Sequence, residues 1–462
     1  MNPPTVGKIS ECFIKPDCVT EESKQPFYLT AWDLTQLSVH YIQKGLLFAK
    51  PPEAQHNENF VAGLLEGLKE SLSLALLHFY PLAGRFSTVK SENPASYWVF
   101  VDCNSSPGAK FIYAVALDIT VNDILSPVDV PLVVQSFFDH HKAVNHDGHT
   151  MSLLSIQVTE LKDGVFIGCS MNHAIGDGTT YWNFFNTWSE IFQKIQRNSD
   201  NSISRPPVLE RWFLPGHGPI INLPFTHHDE FISRFVSPQL RERFFHFSSE
   251  SVAKLKAKAN AEYNNTKKIS SFQSLTALVW RSITRVRRLQ PNQTTSCWLA
   301  IDCTSRISPP LSRDYFGNSV SKVRGVATAG NLLEQGLGWA AWQLNQAVVG
   351  YNEELVKAGL NSWLQSPAIY QTAKTFDQFC MVMGSSPRFD KYGNEFGMGK
   401  ALALRSGYAN KFSGKVTSYP GRQGGGSIDL EICLPPHLMT ALESDKEFME
   451  AAASSGSTNQ LD

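Results

Sequence analysis

Apolar positions in this chain recur with two periods, and the way they alternate along the sequence predicts a mixed fold. Over 58–78, Leu64, Leu65, Leu68, Leu72 and Leu76 share one helical face, and Pro81 lies just beyond the run. Short strands are expected at 9–14, 97–101, 111–116, 152–161 and 165–171, with a strand and turn into a helix over 27–34. Lys162-Asp163-Gly164 separates two of these strands and reads as the tight turn of a hairpin. An aromatic-rich helix follows over 179–194. The second half predicts helices at 250–261 and 271–288, a strand at 296–302 and a long helix near 332–356. Strands at 379–383, 401–405, 415–419 and 427–433 precede a closing helix at 436–454.

The stretch 198–230 breaks this rhythm. Pro206, Pro207, Pro215, Pro219 and Pro224, with Gly216 and Gly218, mark a connection and not a packed element. The chain therefore divides into an N-terminal lobe at 1–197, a crossover at 198–243 and a C-terminal lobe at 244–462. Strands and helices on both sides of the crossover imply an α/β class, with mixed sheets flanked by helices in two lobes.

Composition narrows the possibilities. A chain of 462 residues can bury two sizeable cores, and 42% hydrophobic against 18% charged residues marks it as globular. A formal net charge of −1 and the lack of a long basic run speak against nucleic acid as a partner. Eight cysteines are scattered without a Cys-x-x-Cys pair, the usage of a reducing compartment. The start, Met1-Asn2-Pro3-Pro4, lacks a signal-peptide pattern, and no apolar run reaches about 18 residues. A cytoplasmic protein without a membrane span is the expectation, and a monomer is assumed.

The chemistry concentrates where the strand 165–171 ends, at Asn172-His173-Ala174-Ile175-Gly176-Asp177-Gly178. A histidine at a rigid strand terminus beside a turn suits a general base. The two glycines let the backbone turn sharply and let a ligand come close. Asp177 either orients His173 or braces the loop. A second candidate is the helix start at Lys267-Lys268-Ile269-Ser270-Ser271-Phe272-Gln273, where Ser270 and Gln273 form a capping box. It reads first as an ordinary capped helix, and second as a local phosphate site made by a helix N-terminus and two lysines. His140, His141, His146 and His149 crowd into ten residues without ligand spacing, so no metal is expected. Gly424-Gly425-Gly426 reads as a flexible hairpin tip and not a phosphate loop.

Four motifs in order resemble the BAHD acyltransferase family, plant enzymes that move acyl groups from coenzyme A thioesters. His173-Ala174-Ile175-Gly176-Asp177-Gly178 resembles its HxxxDG signature, and Tyr315-Phe316-Gly317-Asn318 its YFGN segment. Asn394-Glu395-Phe396-Gly397-Met398-Gly399-Lys400 resembles its DFGWG signature in degenerate form, and 68–85 its first long helix with the turn that follows. The resemblance spans nearly the whole chain. It implies a chloramphenicol acetyltransferase-like fold of two similar lobes with a channel between them.

It further implies that His173 takes the proton of a hydroxyl, or secondarily an amine, of a plant specialised metabolite. Acyl-CoA is then a co-substrate, and no permanently bound cofactor or metal is needed. Lys267, Ser270, Ser271 and Asn318 fall where CoA contacts are expected. Ser385 and Ser386 stand as oxyanion donors. Asp177 is expected to pair with Arg306 as a brace, in preference to a Ser-His-Asp type relay, and Phe396, Gly397 and Gly399 to be structural. Asn172, Glu395 and Met398 depart from the family pattern. Those departures keep two alternatives open: a CoA-independent lyase or intramolecular transfer using His173, and a binding homologue without turnover.

Overall fold

The computed structural model describes residues 6–57, 59–200, 202–263 and 268–452. Two six-stranded mixed sheets organise it. The first runs Gly7–Ile14, Ala109–Ala116, Leu154–Leu161, Gly164–Met171, Ile42–Ala49, Ala403–Ser406, with only its second and third strands parallel. The second runs Val320–Thr328, Thr294–Asp302, Met381–Gly384, Lys415–Pro420, Ile428–Leu434, Arg241–Phe247. Its central three strands are parallel and its flanking pairs antiparallel. A small sheet of Phe27–Tyr28, Ala95–Asp102 and Arg85–Glu92 lies beside the first. Two lobes of mixed sheet flanked by helices form the chloramphenicol acetyltransferase-like architecture that the motifs imply.

The predicted hairpin is present: Leu154–Leu161 pairs antiparallel with Gly164–Met171. Every residue of the latter strand is buried, so it carries apolar side chains to both faces rather than alternating. Helix Phe60–His78 packs on helix Gly178–Gln196, and the Trp188 indole donates to Leu68 O at 3.2 Å and Ser71 Oγ at 3.0 Å across the seam. Ser71 would cost helix stability in a bare apolar face; here its hydroxyl satisfies an indole that burial would otherwise orphan.

Several expectations change. The single helix near 332–356 is three, Ala329–Glu334, Gly336–Val349 and Glu353–Gln365. Gly336 at φ +87° breaks the first junction, and Asn352 caps the third helix through Leu355 N at 3.1 Å. The closing helix divides into Pro436–Glu443 and Lys446–Ala452, and its expected last turn lies outside the described residues. Ile42–Ala49, Arg85–Glu92 and Val320–Thr328 are strands that apolar periodicity missed.

Two features also blur the three-segment division. Strand Arg241–Phe247 begins inside the segment assigned to the crossover. Ala403–Ser406, from the second half, joins the first sheet beside Ile42–Ala49. The cause sits just before it: Phe396 is fully buried against Phe48, Phe185, Trp188 and Phe192 of the first lobe. That anchor delivers the following strand to the first sheet.

Gly168 is the tightest point of the first sheet, because a Cβ there would lie 2.3 Å from Phe137 O. Backbone cannot yield as a side chain would. Gly168→Ala is expected to destabilise the fold by about 1–3 kcal/mol, read as a lower denaturation midpoint with an unchanged slope in urea.

Candidate active site

His173 stands where the first sheet meets the second. Strand Gly164–Met171 ends one residue before Asn172, whose side chain is spent on neighbouring backbone groups. Its Nδ2 donates to Asn145 O at 2.8 Å, and its Oδ1 accepts from Ala174 N at 3.0 Å. Asn145 in turn accepts the His173 amide at 2.8 Å. The histidine-rich loop thus contributes an asparagine to the site, while its histidines are spent on local partners. His140 meets Ser152 O, His146 meets the Tyr97 hydroxyl and His149 meets Thr88 Oγ1. Among the described residues, the group whose donor atoms could share a metal is His227, His228 and Asp229, on an exposed turn of the crossover.

The opposite side of the histidine backbone is held by the second lobe. Asn318 Nδ2 donates to His173 O at 2.8 Å and to Asp33 Oδ1 at 2.9 Å, and the Asn318 amide reaches the same Asp33 oxygen at 2.9 Å. Asp33 also caps its own short helix, Ala31–Leu34, and pairs with the Arg211 guanidinium from the crossover. Arg211 donates further to Tyr28 O and Phe316 O. One buried acid therefore gathers the N-terminal lobe, the crossover and the C-terminal lobe behind the histidine. Asn318, expected among CoA contacts, is buried and spends both amide hydrogens inside the protein; that expectation is corrected.

Asp177 does not pair with Arg306. Its Oδ1 accepts from Thr179 N at 2.8 Å and Thr180 N at 3.3 Å, capping helix Gly178–Gln196, and its Oδ2 accepts from Ser319 N at 3.1 Å. Arg306 instead donates to the carbonyls of Asp302, Val348 and Tyr351. Asp177 thus joins helix Gly178–Gln196 to the segment at Ser319 through backbone N–H groups, where a cation was expected. Burial raises its pKa to about 6, with the three N–H donors pulling the other way. Gly176 has a packing role: a Cβ would strike Thr180 at 2.4 Å. Thr180 Oγ1 in turn meets Gly317 N and O, each at 3.0 Å.

Burial drives the His173 pKa down to about 4 against support from its own backbone, with the Lys322 charge, an opposing contribution from Asn318 and the Lys415 charge as smaller influences. The ring is neutral at pH 7. Its Nδ1 is sealed and makes no well-formed hydrogen bond. Nε2 is the nitrogen left to meet a ligand.

The other candidates fall in separate places. Ser385 follows strand Met381–Gly384 with φ +64°, a left-handed conformation for a non-glycine residue, and its Oγ accepts from the buried Lys391 Nζ at 2.9 Å. Such strain concentrates at functional sites. Ser386 Oγ accepts from Arg388 N at 3.2 Å. Ser270 and Gln273 form the expected capping box, while Lys267 lies outside the described residues. Ser271 lines a groove of about 570 Å³ with Lys256, Asn260, Gly425 and Gly426. The glycine tip thus closes over the helix start. Phe396 is core, Gly397 and Gly399 take φ +74° and +71°, and Glu395 clamps Ser189 through its backbone. Tyr41 is fully buried and belongs to the core.

Comparison with known proteins agrees with this fold. A family model described as the Transferase family matches residues 5–449. An uncharacterized acetyltransferase of Arabidopsis thaliana is 36% identical over 96% of this chain and 98% of its own. The Arabidopsis BAHD acyltransferase DCR is 34% identical, covering 96% and 92%. Among solved structures, TRI101 of F. sporotrichioides, complexed with coenzyme A and T-2, superposes with a TM-score of 0.70 at 17% identity, over 92% of this chain and 98% of that one.

Two expectations follow from the buried acids. Arg211→Met leaves Asp33 without its counter-charge and should cost about 3–5 kcal/mol in urea denaturation. Asp177→Asn replaces one acceptor by a donor facing Ser319 N–H, so melting temperature at pH 7 and activity should fall together. The folded pKa of Asp177 lies above the ordinary carboxylate value. The wild type therefore gains stability from this group as pH falls through about 6. The asparagine variant does not, so the difference in melting temperature should widen between pH 7 and pH 5. Full stability with abolished activity would instead assign Asp177 to the chemistry.

Proposed function

From the premise that this chain belongs to the BAHD acyltransferases, the family described as Transferase, we propose that it transfers an acyl group from a CoA thioester to a hydroxyl of a small plant metabolite, with His173 as general base. The observation that carries the reading is the neutral imidazole at the junction of the lobes, its backbone held from both sides and its Nε2 left open.

The acceptor hydroxyl gives its proton to His173 Nε2 as its oxygen attacks the thioester carbonyl. The carbonyl π pair moves to oxygen, and the tetrahedral oxyanion is stabilised by a hydroxyl donor; that role is assigned to Ser385, whose Oγ accepts from Lys391 and keeps its own hydrogen to give. Collapse expels the CoA thiolate, which takes the proton back from His173. A thiol of pKa about 8.5 leaves readily. General-base help of about 10²–10⁴-fold is added to the gain from holding two substrates together, about 7–11 kcal/mol at best. The groove at Ser271, Lys256 and Asn260 is assigned to the phosphate end of CoA, with the helix N-terminus facing it. Lys267 belongs to the same assignment by sequence. Eight free cysteines support action in the reducing cytosol, and among the described residues no helix is long and apolar enough to cross a membrane.

Purified protein is expected to release free CoA thiol from acetyl-, malonyl- or longer acyl-CoA in the presence of an acceptor from an alcohol panel. His173→Ala should lower kcat by about 10²–10⁴-fold and leave acyl-CoA affinity by calorimetry unchanged. Because burial disfavours the imidazolium, the acid limb of kcat/KM should fall near pH 4 and not near 6.5. Absence of both CoA binding and thiol release would overturn the reading. Conversion of a substrate without CoA would favour elimination, and binding unaffected by His173→Ala without turnover would favour a binding protein.

A further inference from the structure

The second sheet carries two lysines whose charges are felt at His173 and which, among the described residues, make no ion pair or hydrogen bond. On its strands, Val323, Leu299, Met383 and Val416 turn to the helix-covered core. Their neighbours Lys322, Ala300, Gly384 and Lys415 therefore turn to the face that meets the first lobe. Lys322 stands opposite Ala300, two strands from Gly384, so the two backbone positions are about 10 Å apart. A Cβ on Gly384 would lie 2.2 Å from Lys415 Nζ, so this ammonium rests over the glycine and leans toward the Lys322 row. Ala300 and Gly384 leave the floor between them low. Lys322 Nζ sits over the Tyr370 ring, 3.7 Å from its centroid, and 5.1 Å from that of Phe376, so aromatic faces hold it in place without supplying a counter-charge.

Both lysines lie deep between the lobes yet keep some accessible surface, so they line open space and are not sealed. Among the described residues, neither ammonium makes an ion pair or hydrogen bond, and neither is among those with unprinted partners. The nearby Glu431 is already engaged by Lys411, Lys44, Ser406 and Tyr419, and Glu242 by Lys411. Five lysines on this interface (Lys44, Lys322, Lys391, Lys411 and Lys415) thus face two buried glutamates. Burial, then the charge of Lys415, brings the Lys322 pKa to about 7, and burial brings Lys415 to about 8. Keeping both protonated without an anion is costly, and a bound anion would hold both as ammonium groups. The phosphates of CoA cannot be that anion, since the pantetheine arm separates them from the sulfur at which His173 acts.

We infer that Lys322 and Lys415 form a carboxylate-recognition site beside His173, so that one reacting partner carries an acid group: a hydroxy or amino acid acceptor, or a dicarboxylic acyl chain. The inference rests on the acyl-transfer reading above for the partners' roles, but the site stands on the geometry of the two ammonium groups.

The experiment has a donor arm, malonyl-CoA against acetyl-CoA, and an acceptor arm, hydroxy acids such as phenyllactate and 3-hydroxybutyrate against their methyl esters. The wild type is expected to favour the acid in one arm roughly tenfold or more in kcat/KM, and Lys322→Met or Lys415→Met to erase that preference. The arm that responds identifies the source of the carboxylate. Both variants should melt at or above the wild-type temperature, since each removes an unpaired buried cation; a large loss of stability would mark the lysines as structural. Equal loss of rate for acid and ester would overturn the inference in favour of oxyanion stabilisation, and no acid preference in either arm would overturn it outright. Should no pair turn over, reductive methylation read by mass spectrometry separates the two failures. Protection of Lys322 and Lys415 by the acids or malonyl-CoA, but not by the esters or acetyl-CoA, keeps the site while the acyl-transfer reading falls. Equal labelling under all conditions removes the site.

Discussion

Everything around the histidine depends on one buried carboxylate, Asp33. A charged acid with no accessible surface survives only if its lone pairs are filled. Asp33 fills them with the Thr30 cap, the Arg211 guanidinium and the Asn318 amide. These partners come from three distant stretches of chain. Asn318 then passes its second hydrogen to the His173 carbonyl. The position of the base is thus set by an electrostatic necessity some distance behind it. Asp177 repeats the logic with backbone donors: helix Gly178–Gln196 and the Ser319 amide converge on one carboxylate, and the lobes are tied on the far side of the same turn.

The interface between the lobes is held by polar and charged groups as much as by apolar packing. Lys44 of the first sheet reaches the Tyr419 hydroxyl at 2.6 Å and Glu431 at 3.9 Å, and Tyr419 donates to Glu431 at 2.7 Å. These contacts satisfy one another. The lysines nearer the histidine do not, and the contrast separates a structural charge cluster from one with capacity to spare. Burial is the main reason the imidazole resists protonation, and the Lys322 and Lys415 charges add smaller pushes in the same direction.

The motif that holds His173 was legible because a fully apolar strand followed by a glycine-interrupted turn is a local signal. So were the hairpin, the capping box at Ser270 and most helices, each encoded within a few residues of itself. What escaped was non-local. Asp33 and Arg211 lie 178 residues apart, and nothing in either neighbourhood announces the other. Arg306 was assigned to Asp177 by family pattern, whereas the carboxylate is satisfied by N–H groups, which leave no side-chain signature. Asn145 was hidden among more conspicuous histidines. Lys322 and Lys415 sit on strands whose alternation mixes charged and apolar residues, so periodicity either missed the strand or could not tell which face met the other lobe.

The exchange of Ala403–Ser406 into the first sheet, with Phe396 driven into the first core just ahead of it, has a bearing on how this molecule comes into being. A nascent polypeptide that has emerged only through the crossover lacks an edge strand and a hydrophobic plug, both of which lie far downstream, at Ala403–Ser406 and Phe396. Neither half is a self-sufficient module that could be cut out, shuffled or inherited alone. The seam between the halves is consequently not a joint between two independent bodies but an internal boundary of a single interlaced one.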